Sequence, residues 1–175
     1  DVYKRQAKYP ALIWKEETNR LFWVWKIITA MSEKNNARIY SILKDTFGYE
    51  NFRDGQEDLI KKLIDKEDLL AVFPTGAGKS LCFQLAALFN EGSTIVVTPT
   101  QSLIDDQKRQ LEAMGVKVSG IHSGKQYGEN VVEWKAFQSG IYKLLYLTPE
   151  RLMTDRMLSA LKKLNLSMFV IDEVH

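Results

Sequence analysis

Cysteine is nearly absent. Cys82 is the only one in 175 residues, which excludes an internal disulfide framework and any multi-cysteine zinc site. A reducing, cytoplasmic setting is the expectation that follows. Charge of one sign is missing too: 24 lysines and arginines face 22 aspartates and glutamates, for a formal net charge of +2. No global basic field marks a nucleic-acid protein, so any such surface must be local. Nor is there an uncharged apolar run of about eighteen residues, which argues against a membrane span. The nearest approach, LFWVWKIITAM from Leu21 to Met31, is short and carries Lys26. No solenoid-length repeat or low-complexity tract occurs.

What is present suits one compact domain, since 45% of the chain is hydrophobic and 26% charged, enough to bury one core. Residues 1–30 stand apart. They hold three of the four tryptophans, Trp14, Trp23 and Trp25, without sustained helical or strand periodicity. The opening DVYKRQ resembles the translation of a sequencing adapter, so residues 1–30 are expected to be a non-native or disordered leader. Met31 then reads as a natural start, with Ile39, Ile42, Leu43 and Phe47 repeating at helical spacing.

Beyond residue 56, short apolar runs alternate with longer helical patterns. Strands are expected over Leu69–Phe73, Thr94–Thr98, Val116–Ile121, Leu144–Leu147 and Met168–Ile171. Helices are expected near Gln56–Ile64, Lys79–Phe89, Ser102–Met114, Val131–Phe137 and Arg151–Leu164. This βαβ rhythm predicts an α/β fold, a parallel sheet flanked by helices on both faces. Ligands of such sheets gather at the carboxyl ends of the strands. HSGKQYGEN reads as an exposed loop, and its His122 as a solvated turn residue without companions to complete a metal site.

The stretch AVFPTGAGKS, Ala71 to Ser80, reads as strand, glycine loop and helix start. Gly76 and Gly78 can turn successive N–H groups inward around phosphate oxygens, with Thr75 and Ala77 completing the loop. Lys79 can reach the β and γ phosphates, and the Ser80 hydroxyl can ligate Mg²⁺. The strict eight-residue P-loop pattern begins with glycine, where Phe73 stands here. At the far end, FVIDEVH places Asp172 and Glu173 after a second apolar run. Asp172 would hold Mg²⁺ and Glu173 would orient and deprotonate the attacking water.

With these motifs in order, the chain resembles the RecQ family of ATP-dependent DNA helicases, within the DExH-box branch of superfamily two. The blocks that carry the resemblance are FGYENFRDGQ, FPTGAGKSLCFQLAAL, VVTPTQSLIDDQ, LLYLTPERLM and VIDEVH, spread from Met31 to the end. Asp54 stands where many members have proline, Val174 where many have alanine, and Phe83 in place of a usual tyrosine. The resemblance implies a RecA-like P-loop lobe using ATP and Mg²⁺, with Lys79 and Glu173 catalytic. It also implies that Tyr49 and Arg53 stack on adenine while Gln56 bonds its edge, an amide being able to donate and accept at once. Cys82 and Phe83 are expected to pack behind the P-loop.

IVVTPTQSL and LLYLTPERL share a design: apolar strand, Thr-Pro, helix. Threonine is expected to cap each helix with proline at its first position, and Gln101, three residues after Thr98, suggests a capping box. Both turns would open at one edge of the sheet. The resemblance implies that Thr98, Pro99, Ser102, Thr148, Pro149 and Arg151 hold one strand of DNA near a duplex junction. A second RecA-like lobe, absent from these residues, is the expected partner, so residues 31–175 read as an incomplete first lobe of a monomeric enzyme, truncated after the DExH motif. The alternatives are another superfamily-two motor, acting on RNA, or a nucleotide-binding module that never hydrolyses ATP.

Overall fold

A computed structural model of the chain describes residues 17–74 and 76–173. Thr75, Val174, His175 and residues 1–16, Trp14 among them, lie outside the described residues. The chain divides into two units, Asp1–Arg38 and Ile39–His175. In the first, the described residues belong to helix α1, Glu17–Phe47, which runs through Met31 into the second unit. Val24, Ile27, Ile28 and Met31 on it are 52–61% exposed. No described helix is long and apolar enough to cross a membrane.

The second unit is built on a parallel sheet of β1 (Ser93–Val97), β2 (Val118–Ile121), β3 (Leu144–Leu147) and β4 (Leu166–Ile171), in the order β2-β3-β1-β4. Helices α2 (Gln56–Ile64), α3 (Lys79–Phe89), α4 (Gln101–Ala113), α5 (Tyr127–Gln138), α6 (Pro149–Leu152) and α7 (Asp155–Leu161) lie between and around these strands. Strand alternation sorts the core into two layers. Val96, Leu144 and Tyr146 join Leu43, Ile60, Cys82, Leu85 and Ile104 on one face. Ile95, Val97, Leu145 and Leu147 meet Phe137, Met157 and Leu161 on the other. Both faces are covered, as the apolar strands require.

Four expectations change, and the first is that α5 begins at Tyr127, inside the expected loop HSGKQYGEN and four residues before Val131. Leu69–Phe73 forms no strand and pairs with no described strand, leaving Leu70 and Val72 82% and 87% exposed. A strand exists through its ladder, and a cleft of about 440 Å³ separates this segment from the free edge of β4. The expected helix Arg151–Leu164 is broken into α6 and α7, because the Thr154 hydroxyl donates to Arg151 O and accepts from Met157 N, ending one helix and capping the next. The cap of α4 falls on Thr100, whose Oγ1 accepts from Leu103 N at 3.3 Å. Thr98 instead prolongs β1 by donating its N–H to Leu147 O. It is buried, and its hydroxyl has no partner.

Candidate functional site

The loop before α3 takes its shape from two glycines. Gly76 and Gly78 have φ of +78° and +80°, in the left-handed region where a side chain is strained. At Gly78 space is short as well: a Cβ there would lie 2.6 Å from Gln56 Nε2. That approach exists because the Gln56 amide, buried, donates to Ala77 O at 3.0 Å and to Gly78 O at 3.3 Å. Its Oε1 accepts from Arg53 N, and Arg53 Nη1 donates to Gly76 O at 2.7 Å. Gln56 and Arg53 thus hold the carbonyl side of the loop, and the Ala77 N–H closes it on Pro74 O at 3.1 Å. Tyr49 stands largely exposed nearby in sequence.

Lys79 opens α3, and Asp172 and Glu173 follow β4. All three line the 440 Å³ cleft. The Asp172 N–H donates to Val97 O at 2.8 Å, which carries the β4 ladder one residue past its end and fixes the carboxylate there. Burial raises the Asp172 pKa above the usual carboxylate range; the Lys79 ammonium pulls it down and Glu173 adds to the rise. Glu173 itself has φ +58°, rare for a residue with a side chain. Asp172 could ligate a magnesium ion that keeps waters and substrate phosphates for its other ligands, whereas Ser80, the other expected ligand, is not in the lining of this cleft. Among the described residues no group of three or more His, Cys, Asp or Glu forms a metal cluster.

Behind the loop runs a polar chain that the sequence motifs do not announce. Gln107 Nε2 reaches Ser80 Oγ at 3.5 Å, while its Oε1 accepts from Gln84 Nε2 at 2.7 Å. Gln84 Nε2 also donates to Tyr146 Oη at 3.0 Å, and burial pushes the Tyr146 phenol well above its usual value. Both glutamines sit in quoted motif blocks, Gln84 as the lone amide in the apolar α3. Polarity on a buried helix face was the signal available. Cys82 and Phe83 are buried in the core beside them.

Of the residues expected to hold DNA, Pro99, Ser102, Thr148 and Arg151 line one open cavity of about 680 Å³ at the carboxyl end of the sheet. Thr98 and Pro149 are not in its lining. His122 also lines it, and here the expectation of a solvated turn fails: the residue is 4% exposed. Its Nδ1 accepts the Gly124 N–H, so Nε2 carries the proton and donates to Asp105 Oδ1 at 3.1 Å. Burial follows from the turn folding back on α4.

Comparison with known proteins places this geometry. The family described as DEAD/DEAH box helicase matches residues 53–175. Among curated proteins, the chain is 38% identical over 139 residues to "ATP-dependent DNA helicase RecQ" of Bacillus subtilis (strain 168), covering 79% of this chain and 24% of that protein. It is 37% identical over 149 residues to the protein of the same name in Haemophilus influenzae, covering 85% and 24%. "Probable ATP-dependent DNA helicase RecS" of Bacillus subtilis is 38% identical over 141 residues, covering 79% and 28%. The chain spans about a quarter of the length of these relatives.

Proposed function

The chain belongs to the DEAD/DEAH box helicase family, and on that premise we propose that it forms the nucleotide-binding lobe of a RecQ-type DNA helicase, one that couples ATP hydrolysis to strand separation. The observation that carries the reading is the convergence of Lys79, Asp172 and Glu173 on one cleft at the carboxyl end of a parallel sheet. Relatives at 37–38% identity bear the RecQ name, which favours DNA over RNA as the strand.

In this reading the N–H groups of Gly76, Gly78 and the start of α3 bind the β and γ phosphates, and the Lys79 ammonium neutralises them. Ser80 and Asp172 would hold Mg²⁺, which when bound offsets charge on the phosphate oxygens. Glu173 positions the attacking water and takes its proton. Tyr49 and Arg53 would flank the adenine, and Gln56 would bond its edge by exchanging a loop carbonyl for the base. Pro99, Ser102, Thr148 and Arg151 would hold one strand, with Thr98 and Pro149 shaping the two turns that present them. A second lobe in the whole protein would supply a transition-state arginine, worth roughly a thousandfold or more in turnover, and strand movement needs two bodies that open and close.

The test compares the chain with a longer protein carrying the second lobe. The chain alone should bind Mg-ATP weakly, hydrolyse it barely measurably and leave duplexes intact, whereas the longer protein should show DNA-stimulated hydrolysis and unwinding. Lys79→Ala should abolish both activities. Robust unwinding by the chain alone, or full activity of the lysine variant, would overturn the mechanism.

A further inference from the structure

A second cavity, of about 420 Å³, lies between α5 and the α6–α7 pair beside the strand-binding cavity. Its size falls within the range of sites that take small organic ligands, about 300–1,000 Å³. One wall is a stripe of α5: Tyr127, Asn130, Val131, Trp134 and Gln138, at helical spacing. Lys135, Arg151 and Arg156 also line it, and no carboxylate does. Asn130, Arg151 and Thr154 line this cavity and its neighbour alike, so the two are continuous.

Two buried polar atoms at that junction have no partner. Asn130 is 9% exposed, and its Nδ2 is spent on His122 O at 2.9 Å and Lys125 O at 3.5 Å, which leaves Oδ1 unpaired. Arg151 Nε is likewise buried without an acceptor. Neither atom reaches the cavity surface, so what the cavity offers a ligand is the Trp134 ring and the cationic side chains of Lys135, Arg151 and Arg156. Trp134 is half-buried against Phe137, with ring centroids 6.0 Å apart, while Tyr127 stands open at the mouth.

We propose that this cavity is a nucleobase subsite. A base of the single strand would turn in from the Pro99–Arg151 track and lie against Trp134, while the phosphates on either side meet Arg151 and Arg156. The inference rests on the strand-binding reading above and adds a second kind of contact to it. Phosphate contacts position a strand, whereas a base in a pocket makes binding depend on bases being present. Every base has a face to lay on an aromatic ring, so the subsite would be tolerant of sequence.

The test measures binding of the full chain to a fluorescent single strand and to the same strand with abasic nucleotides. The intact strand should bind roughly tenfold more tightly, the order expected for loss of a base–aromatic stack. Trp134→Leu should erase that ratio. Arg156→Ala should weaken both strands alike and lower the salt slope by about 0.7, one phosphate contact on a single strand. Because Trp134 also touches the core, photo-crosslinking of a thiothymidine-bearing strand to the unmutated chain gives a second readout, with adducts expected within α5. Equal affinity for intact and abasic strands, a ratio that survives Trp134→Leu, or crosslinks only outside α5 would each overturn the subsite and leave strand binding standing. Absence of any strand binding would overturn both.

Discussion

Gln84 and Gln107, on α3 and α4, are joined by a hydrogen bond of 2.7 Å, with Gln84 Nε2 donating to Gln107 Oε1. The bond links the helix that begins at the phosphate loop to the helix that leaves the first Thr-Pro turn. Through Gln107 Nε2 it extends to Ser80, and through Gln84 to Tyr146 on β3. Gln107→Leu would strip the acceptor from Gln84 and the donor from Ser80. A loss of about 1–3 kcal/mol in urea unfolding is expected, with weaker binding of a fluorescent ATP analogue. No change in either would mean the chain of bonds is idle.

Replacing Gln56 should affect the loop before it affects the base. Gln56→Ala leaves Ala77 O and Gly78 O without their amide donor, and a cost of about 1–3 kcal/mol is expected together with a blurred choice between ATP and GTP. Gly78→Ala should abolish nucleotide binding outright. Removing Gln56 relieves the 2.6 Å approach but not the φ of +80°, so the double variant should still fail to bind. Recovery of binding there would show that crowding alone was the obstacle.

Asp172 trades stability for function. Its raised pKa means that the folded chain holds the proton more tightly than the unfolded one. The stability associated with protonation is therefore fully present below the ordinary aspartate value and lost as pH rises through the raised one. Asp172→Asn should raise the melting temperature at neutral pH without nucleotide, and that gain should shrink as the medium is acidified through this window. Magnesium-dependent nucleotide binding should fall in the same variant. A lower melting temperature at neutral pH would contradict the burial argument.

The Cys82 thiol, pushed up to about 11 by burial, should resist alkylation in the folded chain at neutral pH. Labelling should follow global unfolding and slow further when nucleotide is bound. Rapid labelling of the native chain would show that α3 opens locally behind the loop.

What could be read from the sequence was whatever depends on near neighbours. The helices Gln56–Ile64 and Lys79–Phe89 and the strand Leu144–Leu147 match their patterns end for end, because spacing and burial agree within each segment. The glycines, Lys79 and the Asp172–Glu173 pair are equally local signals. Tertiary structure decided the rest, where the partner is distant in sequence. Gln56 meets loop carbonyls 21 and 22 residues away, and Gln84 meets a phenol 62 residues away. The solvated look of His122 yielded to Asp105, brought close by α4. Leu69–Phe73 has the composition of a strand, yet a strand also needs a neighbour to bond, and no pattern within five residues can supply one.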